Sequence, residues 1–392
     1  MIYLDHHATT PVDPSVVEAM LPWFTTHYGN PHSVSHAVGR FAAKACEHAL
    51  EEIASHLGTS GDSILITSGA TESNNLAIDG VMRHPRQRRR HIITAATEHP
   101  AVIDPIMRLE REGFKVTLLP VITQEAESCG QVDLETLQLA LNDDTALVSI
   151  MWANNEIGVI QPMKDIAEIV HAAGALLHCD ATQAVGRLPT NLTAFGIDLL
   201  SASAHKFYGP KGVGFLALGK QQRIRIRPLF EGGGQQHGLR SGTLNVPGLI
   251  GMAAALRVCE ANRDDDNVRQ QQLRDYLWLE LKSRFPDLEL NGPALPRDSS
   301  TVCQRLPNNL NVAFSKVEGE TLMAAAPELA VSSGSACSSV DPKPSHVLTA
   351  LGLSESRARR SLRFGLGRFT TAREVDLAVE MLVNAHRRVL SE

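Results

Sequence analysis

Between residues 60 and 220 the chain alternates short apolar runs with segments whose apolar positions recur every three or four residues. The runs at 63–67, 91–94, 115–120, 146–152, 175–179, 198–201 and 213–218 have strand length and are apolar at consecutive positions, the pattern of strands covered on both faces. Among the segments between them, 165–174 sets Ile166, Ile169 and Val170 on one helical face. This alternation predicts an α/β fold with a mostly parallel seven-stranded sheet. Ligands of such sheets gather beyond the carboxyl ends of the strands. After Gly251 the texture changes. A long charge-rich helix at 252–281, loops at 291–297, a strand at 310–314 and a helical tail at 374–390 predict a smaller α+β domain. It comprises residues 1–15 and 260–392, beside a large domain of residues 16–259.

Composition agrees with this picture and narrows the partners. At 392 residues, 43% hydrophobic and 20% charged, the chain is globular and long enough for two domains. A net charge of −6 gives no general attraction to nucleic acid or anionic membrane. The basic run Arg86-Gln87-Arg88-Arg89-Arg90 reads as a solvated connection. No stretch has the ~18 unbroken apolar residues of a membrane span, and Met1-Ile2-Tyr3-Leu4-Asp5-His6-His7 lacks the layout of a signal peptide. Six scattered cysteines without a CxxC argue against a disulfide framework, so a reducing, cytoplasmic setting is expected.

Several strand ends carry chemistry. The apolar stretch Leu199-Leu200-Ser201-Ala202-Ser203-Ala204 leads to His205-Lys206 and a Gly/Pro-rich turn, so a strand delivers Lys206 among small neighbours. Taken alone it reads more readily as a surface lysine, since lysines are mostly exposed; crowded and dehydrated, its pKa falls and the amine becomes a nucleophile or base. At 67–75 a strand exit runs into a helix whose first N–H groups, with the Thr71 hydroxyl, suit a phosphate or are merely capped. His99, after Thr97-Glu98, can stack on a planar ring or bond within its loop. Asp180 ends another apolar run, where a carboxylate is costly without a cationic partner. A phosphate cradle, an aspartate for a protonated pyridine and a lysine for an aldehyde together describe a pyridoxal phosphate (PLP) site. Cys337 stands in Ser332-Ser333-Gly334-Ser335-Ala336-Cys337-Ser338-Ser339, among small polar residues, and is the candidate reactive thiol. Cys46, Cys179 and Cys259 read as buried structural cysteines.

With these motifs in hand, the sequence resembles the NifS/IscS-type cysteine desulfurases, PLP enzymes of the class V aminotransferase fold. The likeness runs through Tyr3-Leu4-Asp5, Ala8-Thr9-Thr10-Pro11, Gly29-Asn30-Pro31-His32-Ser33, residues 68–75, Thr97-Glu98-His99 and Asn154-Asn155-Glu156-Ile157-Gly158. It continues through residues 180–183, His205-Lys206, Arg240-Ser241-Gly242-Thr243, residues 332–337, Arg363-Phe364 and Gly367-Arg368-Phe369. The resemblance implies a fold-type I PLP-dependent transferase. Lys206 would bind the cofactor aldehyde and move protons, Asp180 would pair with the ring nitrogen, and His99 would stack on the ring. Gln183 and Asn155 would meet the ring oxygen or substrate, while Ala70, Thr71, Ser203 and His205 would hold the phosphate. Thr243 would reach the phosphate of the neighbouring subunit in a homodimer. Arg363 would grip the α-carboxylate of L-cysteine through a bidentate fork. Cys337 would take the substrate sulfur as a persulfide, leaving alanine, and pass it to an acceptor protein, with iron–sulfur cluster assembly among the pathways served.

Departures from the family pattern are His6-His7, Ala204 in place of a glycine, a longer 293–307 segment, and an end at Ser391-Glu392 without the tail that IscS-type members use to dock the iron–sulfur scaffold. Within the same fold, a selenocysteine lyase or a small-amino-acid aminotransferase is the alternative. A non-enzymatic PLP-binding regulator or sulfur-relay scaffold is the alternative of another class. His32 and His36, or His6 and His7, lack further ligands nearby, so no metal site is expected.

Overall fold

The computed structural model describes residues 1–219, 224–295, 304–333 and 344–391. The seven runs predicted as strands form one seven-stranded sheet. Its order is Ile64–Thr67, Gly214–Leu218, Leu199–Ser203, Leu176–Asp180, Thr145–Ser149, His91–Ala95 and Lys115–Leu119. Six run in one direction; Gly214–Leu218 lies antiparallel to both its neighbours.

The side chains of this sheet divide by alternation. Leu65, Leu147, Leu199 and Leu216 face one way and pack with Leu76, Ile78, Val102 and Ile106 of the helices Ala70–Met82 and Pro100–Arg111. Their neighbours Ile66, Val148, Leu200 and Phe215 face the other way, against Ile53 of Ala37–Leu57, Ile166 of Met163–Ala172 and Met252 of Val246–Arg284. Apart from the edge strand Lys115–Leu119, the strands are buried along their length but for the partly buried end residues Leu176 and Leu218. That accounts for runs that are apolar on consecutive positions.

A second core gathers Ile2, Leu4, Leu277, Leu281, Leu310, Phe364 and Leu382. Its four-stranded antiparallel sheet runs Ser332–Ser333, Ser361–Gly365, Asn309–Ala313, Glu289–Leu290, and Ile2–Tyr3 pairs in parallel with Leu329–Ala330. The helix Val246–Arg284 serves both cores: its residues through Cys259 join the first, and Leu277 and Leu281 the second. The division expected at 259/260 therefore falls inside one continuous helix. That helix also begins earlier than its charge pattern suggested, because the Asn245 side chain caps it, accepting from Gly248 N–H at 3.0 Å. The short helix His346–Ala350, placed by sequence with the smaller domain, puts Val347 and Leu348 into the first core.

Candidate active site

At the carboxyl edge of the large sheet lies a cavity of about 730 Å³ lined by Ala70, Thr71, His99, Asn155, Asp180, Gln183, Ser203, His205, Lys206 and Arg363. Ten of the twelve residues singled out in the sequence thus meet in one place. Thr243 is exposed and does not line the cavity. Cys337 lies outside the described residues.

Lys206 closes a one-turn helix, Ala204–Lys206, that follows directly on the strand Leu199–Ser203. Its amine donates to the carbonyls of His7 at 2.6 Å and Ala8 at 2.8 Å. Burial, reinforced by the guanidinium groups of Arg363 and Arg187, brings its pKa down to about 8. A sizeable share of neutral amine at physiological pH follows. The same surroundings bring neighbouring His205 down to about 4, through burial and then Lys206 and Lys211. His205 is a neutral hydrogen-bonding group at this pH.

Asp180 is the last residue of the strand Leu176–Asp180. Oδ2 accepts from Asn74 Nδ2 at 2.7 Å and Oδ1 from Thr182 N–H at 3.0 Å. Two neutral donors hold the carboxylate facing the cavity, and no cation pairs with it among the described residues. An acceptor so placed fits a protonated ring nitrogen.

The helix Ala70–Met82 starts across the cavity. Its first intrahelical bond runs from Ser73 N–H to Gly69 O at 3.1 Å, so the N–H groups of Ala70, Thr71 and Glu72 precede it, at the positive end of the helix. Gly69, with φ 154° and ψ −178°, occupies a conformation essentially closed to other residues. Close approach also demands Gly214, whose Cβ would stand 2.7 Å from Gly69 Cα. A cradle made by a helix start, a serine and a neutral histidine fits an anion such as the phosphate of PLP.

His99 caps the helix Pro100–Arg111, its Nδ1 accepting from Ala101 N–H at 3.0 Å. Burial lowers its pKa despite Asp180 nearby, so a neutral ring faces the cavity. Arg363 sits mid-strand in Ser361–Gly365. It donates to Asn155 O and Asp5 Oδ1, each at 2.9 Å, and to Ser332 Oγ at 3.0 Å. Its buried Nε has no partner among the described residues.

Ala204, one of the departures, does not line the cavity. It is fully buried, and its methyl lies 2.8 Å from where a Cβ of Gly209 would stand. The methyl is therefore accommodated inside the core, where Gly209 makes room. His36, considered for metal, caps the helix Ala37–Leu57 by accepting from Gly39 N–H.

Sequence reasoning missed Asn74, Arg187 and His7. Asn74 carried a readable signal, since it lies four residues after Ala70 on the same helical face. Arg187 and His7 meet the site through contacts 19 and 176 residues apart in sequence, Arg187 Nη2 to Lys206 O at 2.8 Å and His7 Nδ1 to Gln183 Oε1 at 3.0 Å, which no local pattern reveals.

Fold and cavity define a class, and the comparisons agree. The model of the aminotransferase class-V family matches residues 2–378, and the chain belongs to that family. Within it the chain falls among the NifS/IscS-type cysteine desulfurases. A protein named cysteine desulfurase IscS from Anaeromyxobacter dehalogenans is 48% identical over 388 residues, covering 99% of this chain and 93% of that protein. A solved NifS-like protein superposes with a TM-score of 0.88 at 37% identity, over 100% of this chain and 99% of the other. SspA, solved in complex with cysteine, gives a TM-score of 0.79 at 33% identity, over 95% of this chain and 100% of its own.

Proposed function

We propose that this cavity holds PLP and converts L-cysteine to L-alanine, delivering the sulfur as a persulfide on Cys337. The observation that carries the reading is the convergence of a pKa-lowered Lys206, the neutral-donor-held Asp180 and an open helix start on one cavity. When bound, PLP supplies an electron sink for the pair released at the substrate Cα.

This chain's residues do the rest. Lys206 would hold the cofactor aldehyde, and its free amine would carry the Cα proton of the substrate. Asp180 keeps the ring nitrogen protonated, and the neutral His99 covers the ring face. Ala70, Thr71, Ser203 and His205 hold the phosphate, while Gln183 and Asn155 orient the ring oxygen and substrate. Cys337 attacks the substrate sulfur as a thiolate. One C–S bond breaks and one S–S bond forms, the carbon keeps the electron pair of the broken bond, and a proton completes the alanine methyl.

The flanks of residues 334–343 support this role for Cys337. On one side Ser332 donates to Asp5 and accepts from Arg363; on the other, Ser345 donates to Glu156, the neighbour of Asn155. Chain before the cysteine segment is thus tied to a cavity residue, and chain after it to the neighbour of one. The persulfide then passes to a sulfur-acceptor protein.

A homodimer completes the reading, with Thr243 supplied to the neighbouring subunit. Arg240, bonded to Glu72 at 2.8 Å, brings the loop of Thr243 to the rim, where Thr243 faces outward. An apolar patch includes Phe24, 60% exposed, Tyr28, 74%, and Phe41, 52%, a surface suited to a second copy. An ultracentrifuge mass of one chain would refute this. No helix among the described residues is long and apolar enough to cross a membrane, and a cytoplasmic location is proposed.

The test is alanine formation. PLP-loaded protein given L-cysteine and a thiol reductant yields alanine and sulfide in equal amounts; a yellow protein that releases neither would overturn the assignment. In the same assay, Arg363→Lys raises KM ~10–100-fold with a smaller effect on kcat, as expected when a forked contact worth about 1.5–3 kcal/mol becomes a point contact. An unchanged KM would remove Arg363 from the substrate site.

A further inference from the structure

His7 is fully enclosed, and no step described above uses it. Each of its hydrogen-bonding atoms is committed. Nδ1 lies 3.0 Å from Gln183 Oε1, and Nε2 lies 3.2 Å from Asn309 Nδ2. Both amides have a fixed orientation. Gln183 Nε2 donates to the His7 carbonyl at 3.0 Å, and Asn309 Oδ1 accepts from Arg305 Nη1 at 2.8 Å. An amide oxygen only accepts and an amide nitrogen only donates, so the imidazole carries its proton on Nδ1 and accepts at Nε2. Protonating Nε2 would set two N–H groups against each other. Arg363, Arg187 and Lys206 are the charged groups around the ring, and all three oppose a further positive charge.

The His7 carbonyl accepts a second bond, from the Lys206 amine at 2.6 Å. One residue thus ties together the amide of Gln183 and the amine of Lys206. Arg187 pins the same two residues from below, donating to Gln183 O at 3.3 Å and Lys206 O at 2.8 Å. With Gln183 Oε1 turned to the ring and one N–H given to the His7 carbonyl, the second N–H of that amide is left to the cavity.

We propose that His7 is a positioning residue for the reaction: its Nδ1–H locks the Gln183 amide so that an N–H, and not the carbonyl, is offered to the cofactor beside the Lys206 amine. The inference rests on the assignment of Gln183 and Lys206 to PLP. An N–H aimed at the ring oxygen favours its anionic form; a released amide can turn its carbonyl there and disfavour it.

The amide nitrogen of an asparagine side chain reaches the place of Nδ1, whereas that of glutamine reaches the place of Nε2. The test compares wild type, His7→Asn and His7→Gln as PLP-loaded proteins by visible absorbance against pH, with kcat and KM alongside. His7→Asn keeps the wild-type midpoint. His7→Gln moves it upward by about one pH unit, roughly tenfold in proton affinity, and lowers kcat more than it raises KM. Equal midpoints in all three proteins, or equal displacement in both variants, would overturn the proposal and leave His7 a packing residue. Failure of the cofactor assignment itself is distinguishable, since wild type would then show no visible band. Acylation of Lys206 in the cofactor-free proteins, followed by mass spectrometry, covers that case: wild type and His7→Asn share one pH profile, and His7→Gln departs from it. A common profile for all three would count against the lock.

Discussion

Lys206→Ala yields a colourless protein that forms alanine at least ~10³-fold more slowly, since anchor and proton carrier disappear together. The fold survives the change. Nζ bonds two carbonyls that stay within the loop at residues 7–8, and it stands among guanidinium groups that oppose its charge. Linkage gives the sign of a second effect. The folded amine titrates at about 8 against an ordinary 10.5, so in this interval the unfolded chain binds more protons than the folded one. In the cofactor-free protein this group makes stability rise with pH between those values and contributes unfavourably below them. The alanine variant loses that rise. Thermal melts of both proteins across this range measure it; parallel curves would show that Lys206 is not perturbed.

Cys337→Ala has an effect of similar size on a different step. The variant keeps the yellow colour and Lys206, so it still exchanges the Cα hydrogen of L-cysteine with solvent deuterium. Persulfide and alanine formation fall on the order of 10³-fold or more, the scale on which loss of an activated nucleophile is felt. An aminotransferase of this fold would be indifferent to the substitution. Undiminished alanine production by Cys337→Ala would therefore transfer the chemistry to another group.

The sequence made the large sheet legible because its strands are covered on both faces, leaving uninterrupted runs such as Leu199–Ser203 that no amphipathic helix imitates. Site residues at strand ends were legible for the same reason: Asp180 and Lys206 sit where an apolar run stops. What stayed hidden depends on contacts distant in sequence. The second core draws Leu4 to Phe364, and His7 matters only because Gln183 and Asn309 arrive from other elements. The start of Val246–Arg284 is hard to place from sequence because Pro247, Gly248 and Gly251 are poor helix formers in an interior, although proline suits a first helical turn. Sequence neighbours also do not say which way the Ala204 methyl points; it enters the core beside Gly209.

In the proposed reaction one amine and one thiol serve the same substrate at this cavity. A single turnover tests it most directly: PLP-loaded protein mixed with one equivalent of L-cysteine, without acceptor or reductant, then quenched and digested. One alanine per site is expected, together with a Cys337 peptide heavier by one sulfur atom. Alanine absent, or the sulfur found on another cysteine with Cys337 unmodified, would contradict it.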